Sequence, residues 1–126
     1  MRIKKILGLI GFAFVCVLAL ASCGKGTFQT EYYGNTYSGD LYISASTENH
    51  YYLVSNDKIY QISFNGNKTL YLRDAEFEKI DDNSWKSEKQ YPRNYIILIN
   101  NGQELMYVSN NGATSVYTRT DHIEEP

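Results

Sequence analysis

Beyond residue 23 this 126-residue chain has no cysteine, since its two, Cys16 and Cys23, both lie near the start. Disulfides, thiolate metal sites and cysteine nucleophiles are thereby excluded from the rest, which must hold together by packing alone. About 100 residues are enough for that. Histidine is almost as scarce, with His50 and His122 only. Neither has the Ser and Asp neighbours that would suggest a triad, so both read as inert surface groups and no catalytic residue is assigned. Asp81-Asp82-Asn83 lacks the spaced oxygen ligands and central glycine of a calcium loop, and no glycine-rich phosphate loop is present. No metal or cofactor is expected. Basic excess is missing too: twelve Lys and Arg stand against fourteen Asp and Glu. Without a basic stripe, nucleic acid is not an expected partner.

What is present begins with the first two dozen residues. Arg2, Lys4 and Lys5 precede an apolar stretch from Ile6 to Leu20, which gives way to small residues. That stretch is shorter than the about 20 residues a bilayer-spanning helix needs, so a cleaved export signal is the better reading. The box Leu20-Ala21-Ser22-Cys23 resembles the lipobox of bacterial lipoproteins. The resemblance implies that residues 1–22 are removed and that Cys23 becomes a lipidated first residue on the extracytoplasmic face of a cell membrane. A diacylated cysteine meets the two-chain requirement for stable anchoring. Residues 23–26 then form a tether that holds a domain within roughly 10 to 15 Å of the lipid surface. With the leader gone, nine basic residues face fourteen acidic ones, a net charge of −5.

From Thr27 onward the chain reads as one all-β domain, 27–121, followed by a frayed tail, 122–126. Eight strand-like runs alternate with turn residues: Thr27 to Tyr33, Asp40 to Ser46, His50 to Ser55, Lys58 to Phe64, Lys68 to Arg73, Asn94 to Ile99, Gln103 to Ser109 and Thr114 to Thr120. Spacing near ten residues predicts a small antiparallel meander, as a partly closed barrel or sandwich. Asn65-Gly66, Asn101-Gly102 and Asn111-Gly112 are strong hairpin signals, and Ser55-Asn56-Asp57 is a fourth turn.

A shift of 46 residues lays Ile62 to Arg73 over Val108 to Arg119 without a gap, and Ser63, Asn65, Gly66, Tyr71 and Arg73 recur as Ser109, Asn111, Gly112, Tyr117 and Arg119. Either the domain holds two repeats of about 46 residues or two Asn-Gly hairpins simply look alike. A three-residue loop with Gly66 in the left-handed bulge position would pair Tyr60 with Leu70 and Ile62 with Lys68. Tyr60, Ile62, Leu70 and Leu72 then face inward, and Gln61, Thr69, Tyr71 and Arg73 outward. The same register in the second hairpin puts Met106, Val108 and Val116 inward and Tyr107, Ser115, Tyr117 and Arg119 outward. A slip of one residue would exchange the two faces.

The expected outward stripes set tyrosine beside arginine, the side chains most enriched at binding hot spots. Tyr71, Arg73, Tyr107, Tyr117, Arg119 and Trp85 are therefore the candidate binding surface. The plain alternative is that tyrosine is a good strand former along which arginine packs. The run Tyr95-Ile96-Ile97-Leu98-Ile99 is apolar on both faces and requires cover on two sides. The connection from Asp74 to Arg93 supplies it through Phe77 and Trp85, or a second protein does; left open, that patch is itself a partner site.

The segment from Leu105-Met106-Tyr107-Val108 to Ser115-Val116-Tyr117-Thr118-Arg119, in a lipidated all-β chain, resembles small lipocalin-like envelope proteins, without their glycine-tryptophan opening. The resemblance implies a barrel that binds a small apolar ligand, whereas large inward residues favour a filled core. The expected function is that of a membrane-anchored, non-catalytic interaction or accessory module, its partner an unidentified envelope protein or ligand.

Overall fold

The computed structural model describes residues 27–126. The expected leader, the expected lipidation at Cys23 and the expected tether lie outside them. Ten strands are formed: β1 (Phe28–Tyr32), β2 (Asn35–Ser44), β3 (His50–Ser55), β4 (Lys58–Phe64), β5 (Leu70–Asp74), β6 (Phe77–Asp81), β7 (Ser84–Ser87), β8 (Tyr95–Ile99), β9 (Glu104–Val108) and β10 (Thr114–Thr120). They make one antiparallel sheet in the order β5-β4-β3-β2-β10-β9-β8-β7-β6, with β1 paired to the first half of β2. Two meanders, β2 to β5 and β6 to β10, are thus joined where β10 lies beside β2.

The chain passes from one edge of this sheet to the other through Ala75 and Glu76 alone, so the sheet curls until its edges approach: an all-β, partly closed barrel. The seam is held by single contacts rather than a ladder. The Ala75 amide donates to the Ile59 carbonyl at 2.9 Å, Trp85 Nε1 donates to the Asp57 carbonyl at 3.0 Å, and Lys79 Nζ lies 3.4 Å from Asp57. The connection from Asp74 to Arg93 is therefore largely sheet, in the hairpin β6–β7 that extends the edge beside β8.

β2 serves two pairings in turn. Asn35 to Gly39 pairs with β1, and Asp40 to Ile43 with β3. At the change-over stands Gly39 with φ 155°, where an added Cβ would lie 2.1 Å from the Val54 carbonyl oxygen. Only glycine lets these backbones come so close.

Both faces of the β2–β5 half are buried. The concave face carries Tyr42, Tyr52, Val54, Ile59, Phe77, Trp85, Ile96, Leu105 and Tyr117. The convex face of β2–β5 carries a second core of Phe28, Leu41, Tyr51, Leu53, Ile62, Leu72 and Ile123, covered by β1 and the C-terminal segment. That segment is not the frayed tail expected for 122–126. Ile123 is buried, and the Glu124 amide donates to the Tyr51 hydroxyl at 2.8 Å.

The three Asn-Gly pairs all fall in hairpin loops, but the two compared hairpins differ. In β9–β10 Gly112 takes the left-handed bulge position, φ 92°, and the expected register holds, with Met106 opposite Val116. In β4–β5 the same three-residue loop sits two residues further on. Asn65 Oδ1 accepts from the Asn67 and Thr69 amides at 2.9 and 3.1 Å, the Lys68 amide donates to the Asn65 carbonyl at 2.8 Å, and Lys68 supplies the left-handed residue, φ 62°. Ile62 consequently pairs with Leu72 and Phe64 with Leu70. The slip moves partners by an even number of positions, so the grouping of residues by face survives the wrong register, but the group with Ile62 and Leu72, expected inward, lies in the convex core.

The second hairpin inverts. Its register was right, yet Leu105 and Tyr117 are buried on the concave side, and Val116, expected to face inward, is 37% exposed. The residues related by the 46-residue shift thus pair in different registers. On β8 the inner residues Ile96 and Leu98 join the concave core with Trp85. The outer row Ile97-Met106-Val116 and the neighbouring Tyr95-Val108 pair stay partly exposed, uncovered by Phe77 or Trp85.

Candidate functional site

The six candidate residues do share a face: cross-strand neighbours lie on the same side of a sheet, and the pairings place all six on the concave side. Arg73 stands opposite Gln61, which stands opposite Tyr52; Tyr71 stands opposite Ser63, which stands opposite His50. Across the junction, Arg119 is opposite Tyr42, Tyr107 opposite Ile96, and Ile96 opposite Trp85. They are not, however, one exposed surface.

Tyr117 is 6% exposed and Trp85 1%. Trp85 closes the seam, with Lys79 Nζ 5.8 Å from its ring centroid. Arg119 is held by Asp40 at 2.7 Å over the Tyr42 ring, and Tyr107 is half-buried, stacked parallel to Tyr52 at 6.2 Å. Only Tyr71, 50% exposed, and Arg73 stand open to solvent. The curl of the sheet makes the expected outer face the inner one.

Below Tyr71 and Arg73 lies a polar cluster that sequence reading missed. His50 Nδ1 is 2.9 Å from the Tyr117 hydroxyl, and Gln61 Nε2 donates to His50 Nε2 at 2.6 Å. A ring accepting at Nε2 is neutral and carries its proton on Nδ1. Burial, and then the Arg73 guanidinium, push the His50 pKa below its usual value. His50 is thus half-buried and bonded rather than an inert surface group. Its ring meets Tyr52 edge-on at 5.5 Å, and Tyr52 packs on Tyr117 at 4.9 Å. Burial raises the Tyr117 phenol to about 12, helped by the Tyr107 phenol, and drives Tyr52 up further. Both stay neutral hydrogen-bonding groups. The signal in the sequence was the register: His50 can be placed opposite Ser63, and beside Tyr52, once β3 and β4 are paired through the Asn56-Asp57 turn.

No protein-family model, curated protein or solved structure matches this chain. The residues must speak for themselves. Among the described residues no group of three or more His, Cys, Asp or Glu side chains is placed to hold a metal ion. The open end of the concave face offers a guanidinium, phenols, an imidazole and an amide over an aromatic floor. That chemistry suits hydrogen bonding and ring stacking with a partner.

Proposed function

We propose that this chain is a cell-envelope lipoprotein, anchored through Cys23 on the extracytoplasmic face of the membrane, that works by binding rather than by catalysis. The observation that carries the reading is the open end of the concave face, where Tyr71 and Arg73 project beside His50 and Gln61 over buried Tyr52 and Tyr117. Side chains of this kind give specific contacts without a deep cavity. Carriage of an apolar ligand, the alternative, has less support. The space enclosed by the sheet is filled by Trp85, Tyr42, Tyr52, Ile59, Ile96 and Leu105, as a small barrel filled by its own side chains is.

Two measurements test the two halves of the proposal. Cys23→Ala should abolish incorporation of labelled palmitate and release the protein from the membrane fraction; labelling that persists would refute the anchor. A photo-crosslinking residue at Tyr71 should trap one specific partner in intact cells, and Arg73→Ala should abolish that adduct. The same residue at Val116 on the convex face serves as comparison. Trapping at Val116 and none at Tyr71 would refute the concave site.

A further inference from the structure

The path of the sheet ends at two edge strands, β5 and β6, and they are built differently. β6 carries Glu78, Lys79 and Asp81, and its pairing with β7 shifts register between Lys79 and Asp81. Charges and a bulge keep an edge from taking on another strand. β5 has no bulge and no proline, and its two charges, Arg73 and Asp74, stand together at one end. The seam leaves this edge free, because Trp85 and Lys79 reach past it to Asp57 in the β3–β4 turn. Which main-chain groups point off the edge follows from the ends of the strand. The Asn65 amide donates to the Thr69 carbonyl at 3.0 Å and the Ala75 amide to the Ile59 carbonyl at 2.9 Å, so Thr69 and Ala75 turn their main-chain groups toward β4. In an antiparallel ladder that role falls on every second residue. Tyr71 and Arg73 therefore bond to β4, while Leu70, Leu72 and Asp74 aim their N–H and C=O groups away from the sheet. Among the described residues no main-chain group meets them there.

We infer that a second copy of this chain pairs with that edge, β5 against β5, antiparallel about a two-fold axis at Leu72; this rests on the reading of Tyr71 and Arg73 as contact residues and names what they touch. One register pairs all five residues of β5 with the same strand of the second copy: Leu72 with Leu72, Leu70 with Asp74, and Tyr71 with Arg73. The outward groups of Leu70, Leu72 and Asp74 then meet one another and close about six main-chain hydrogen bonds. Tyr71 and Arg73 fall in the non-hydrogen-bonded pairs of the new ladder, where facing Cα atoms are only about 4.5 Å apart. Each ring thus lies beside the guanidinium of the other copy, on the concave side, as a cation–π pair. These are the two side chains of the candidate surface that a single copy leaves open to solvent. The strand is its own complement in this register, which is what an interface between identical chains requires. One strand pair is a small interface, and two copies anchored in one membrane meet at the high effective concentration it needs.

The test places the photo-crosslinking residue at Tyr71 of the full-length chain in intact cells and identifies the adduct by its mass and its crosslinked peptide. An adduct of two copies, joined from the probe to the β5 segment around Arg73 of the second copy, is the expected result. An adduct with a different protein and none between copies overturns the pairing and leaves the concave contact site standing, whereas no adduct at all overturns both. Sedimentation equilibrium of the purified full-length chain in density-matched detergent tests the register. Each substitution acts twice across the two-fold axis, so Arg73→Glu should weaken dimerisation about ten-fold. Tyr71→Arg combined with Arg73→Glu sets opposite charges face to face and should restore it. Both positions are exposed, and an unchanged urea midpoint shows that the variants fold. A monomer at every concentration, a dimer indifferent to Arg73→Glu, or one that the double variant does not restore overturns the pairing.

Discussion

Tyr117→Ala separates a structural from a contacting role for the tyrosine-arginine stripe. Tyr117 is 6% exposed, packs on Tyr52 at 4.9 Å and bonds to His50 at 2.9 Å, in the middle of the concave core. Removing a buried aromatic ring costs about 3 to 5 kcal/mol, a large share of the roughly 5 to 15 kcal/mol that holds such a domain together. At about 5 °C per kcal/mol, the melting midpoint should fall by roughly 15 to 25 °C. Tyr71→Ala removes a half-exposed ring from an edge strand and should stay within about 0.5 kcal/mol of the parent. Tyr117→Phe isolates the hydroxyl: losing its contact with His50 should cost about 1 kcal/mol. Urea titration at neutral pH, followed by tryptophan emission from Trp85, measures all three. If Tyr117→Ala and Tyr71→Ala shift the midpoint equally, the ring of Tyr117 is not in the core and the concave assignment is wrong.

Three further outcomes follow from the same geometry. His50 has its pKa depressed in the fold, so unfolding takes up a proton as pH falls below the ordinary histidine value of 6.5; stability should be full above that value, decline below it, and lose this dependence in His50→Gln. Tyr42 and Tyr117 have raised pKa values, so the stability they contribute is present below pH 10 and lost as pH climbs toward about 12; a spectroscopic phenolate titration should coincide with loss of circular dichroism there, and separate ionisation without unfolding would contradict the burial of these rings. Gly39→Ala should destabilise by about 3 kcal/mol or more, because the new methyl meets backbone oxygen at 2.1 Å, whereas Gly34→Ala, with φ 80° and open space around it, should cost only about 1 to 2 kcal/mol; equal urea midpoints would refute the close approach.

Much of the architecture was legible because alternation and turn chemistry are local. His50 to Ser55 and Lys58 to Phe64 appear as strands with the expected ends, joined by the two-residue turn Asn56-Asp57, where Asn56 has φ 56°. The short strand Ser84–Ser87 was not: four residues with a lysine and two serines carry almost no strand signal, and pairing with β6 and β8 on its two sides holds them in the sheet, while Trp85 reaches Asp57, 28 positions away. The Asn65 loop was misplaced for a related reason. Glycine is the usual left-handed residue, but Asn65 Oδ1 captures two amides and so fixes the turn two residues later, leaving Lys68 in that position.

The faces were harder, because the strands of β2–β5 are apolar on both sides. Tyr51-Tyr52-Leu53-Val54 is buried along its whole length, alternating between the convex and concave cores. A period-2 pattern says which residues share a face but not which way the sheet curls. That choice is made by remote parts of the chain: β1 and Ile123 cover one side, while the edges meet through Asp57, Lys79 and Trp85 on the other. The same cause explains the split fate of the candidate surface. Residues two apart on β5, Tyr71 and Arg73, reach solvent because β5 is an edge strand, whereas Tyr117 and Arg119, the same pair on β10, lie at the centre of the sheet and are closed over. The same Tyr-x-Arg spacing thus yields an exposed pair in one hairpin and a core ring with a braced ion pair in the other, and position in the sheet decides between them.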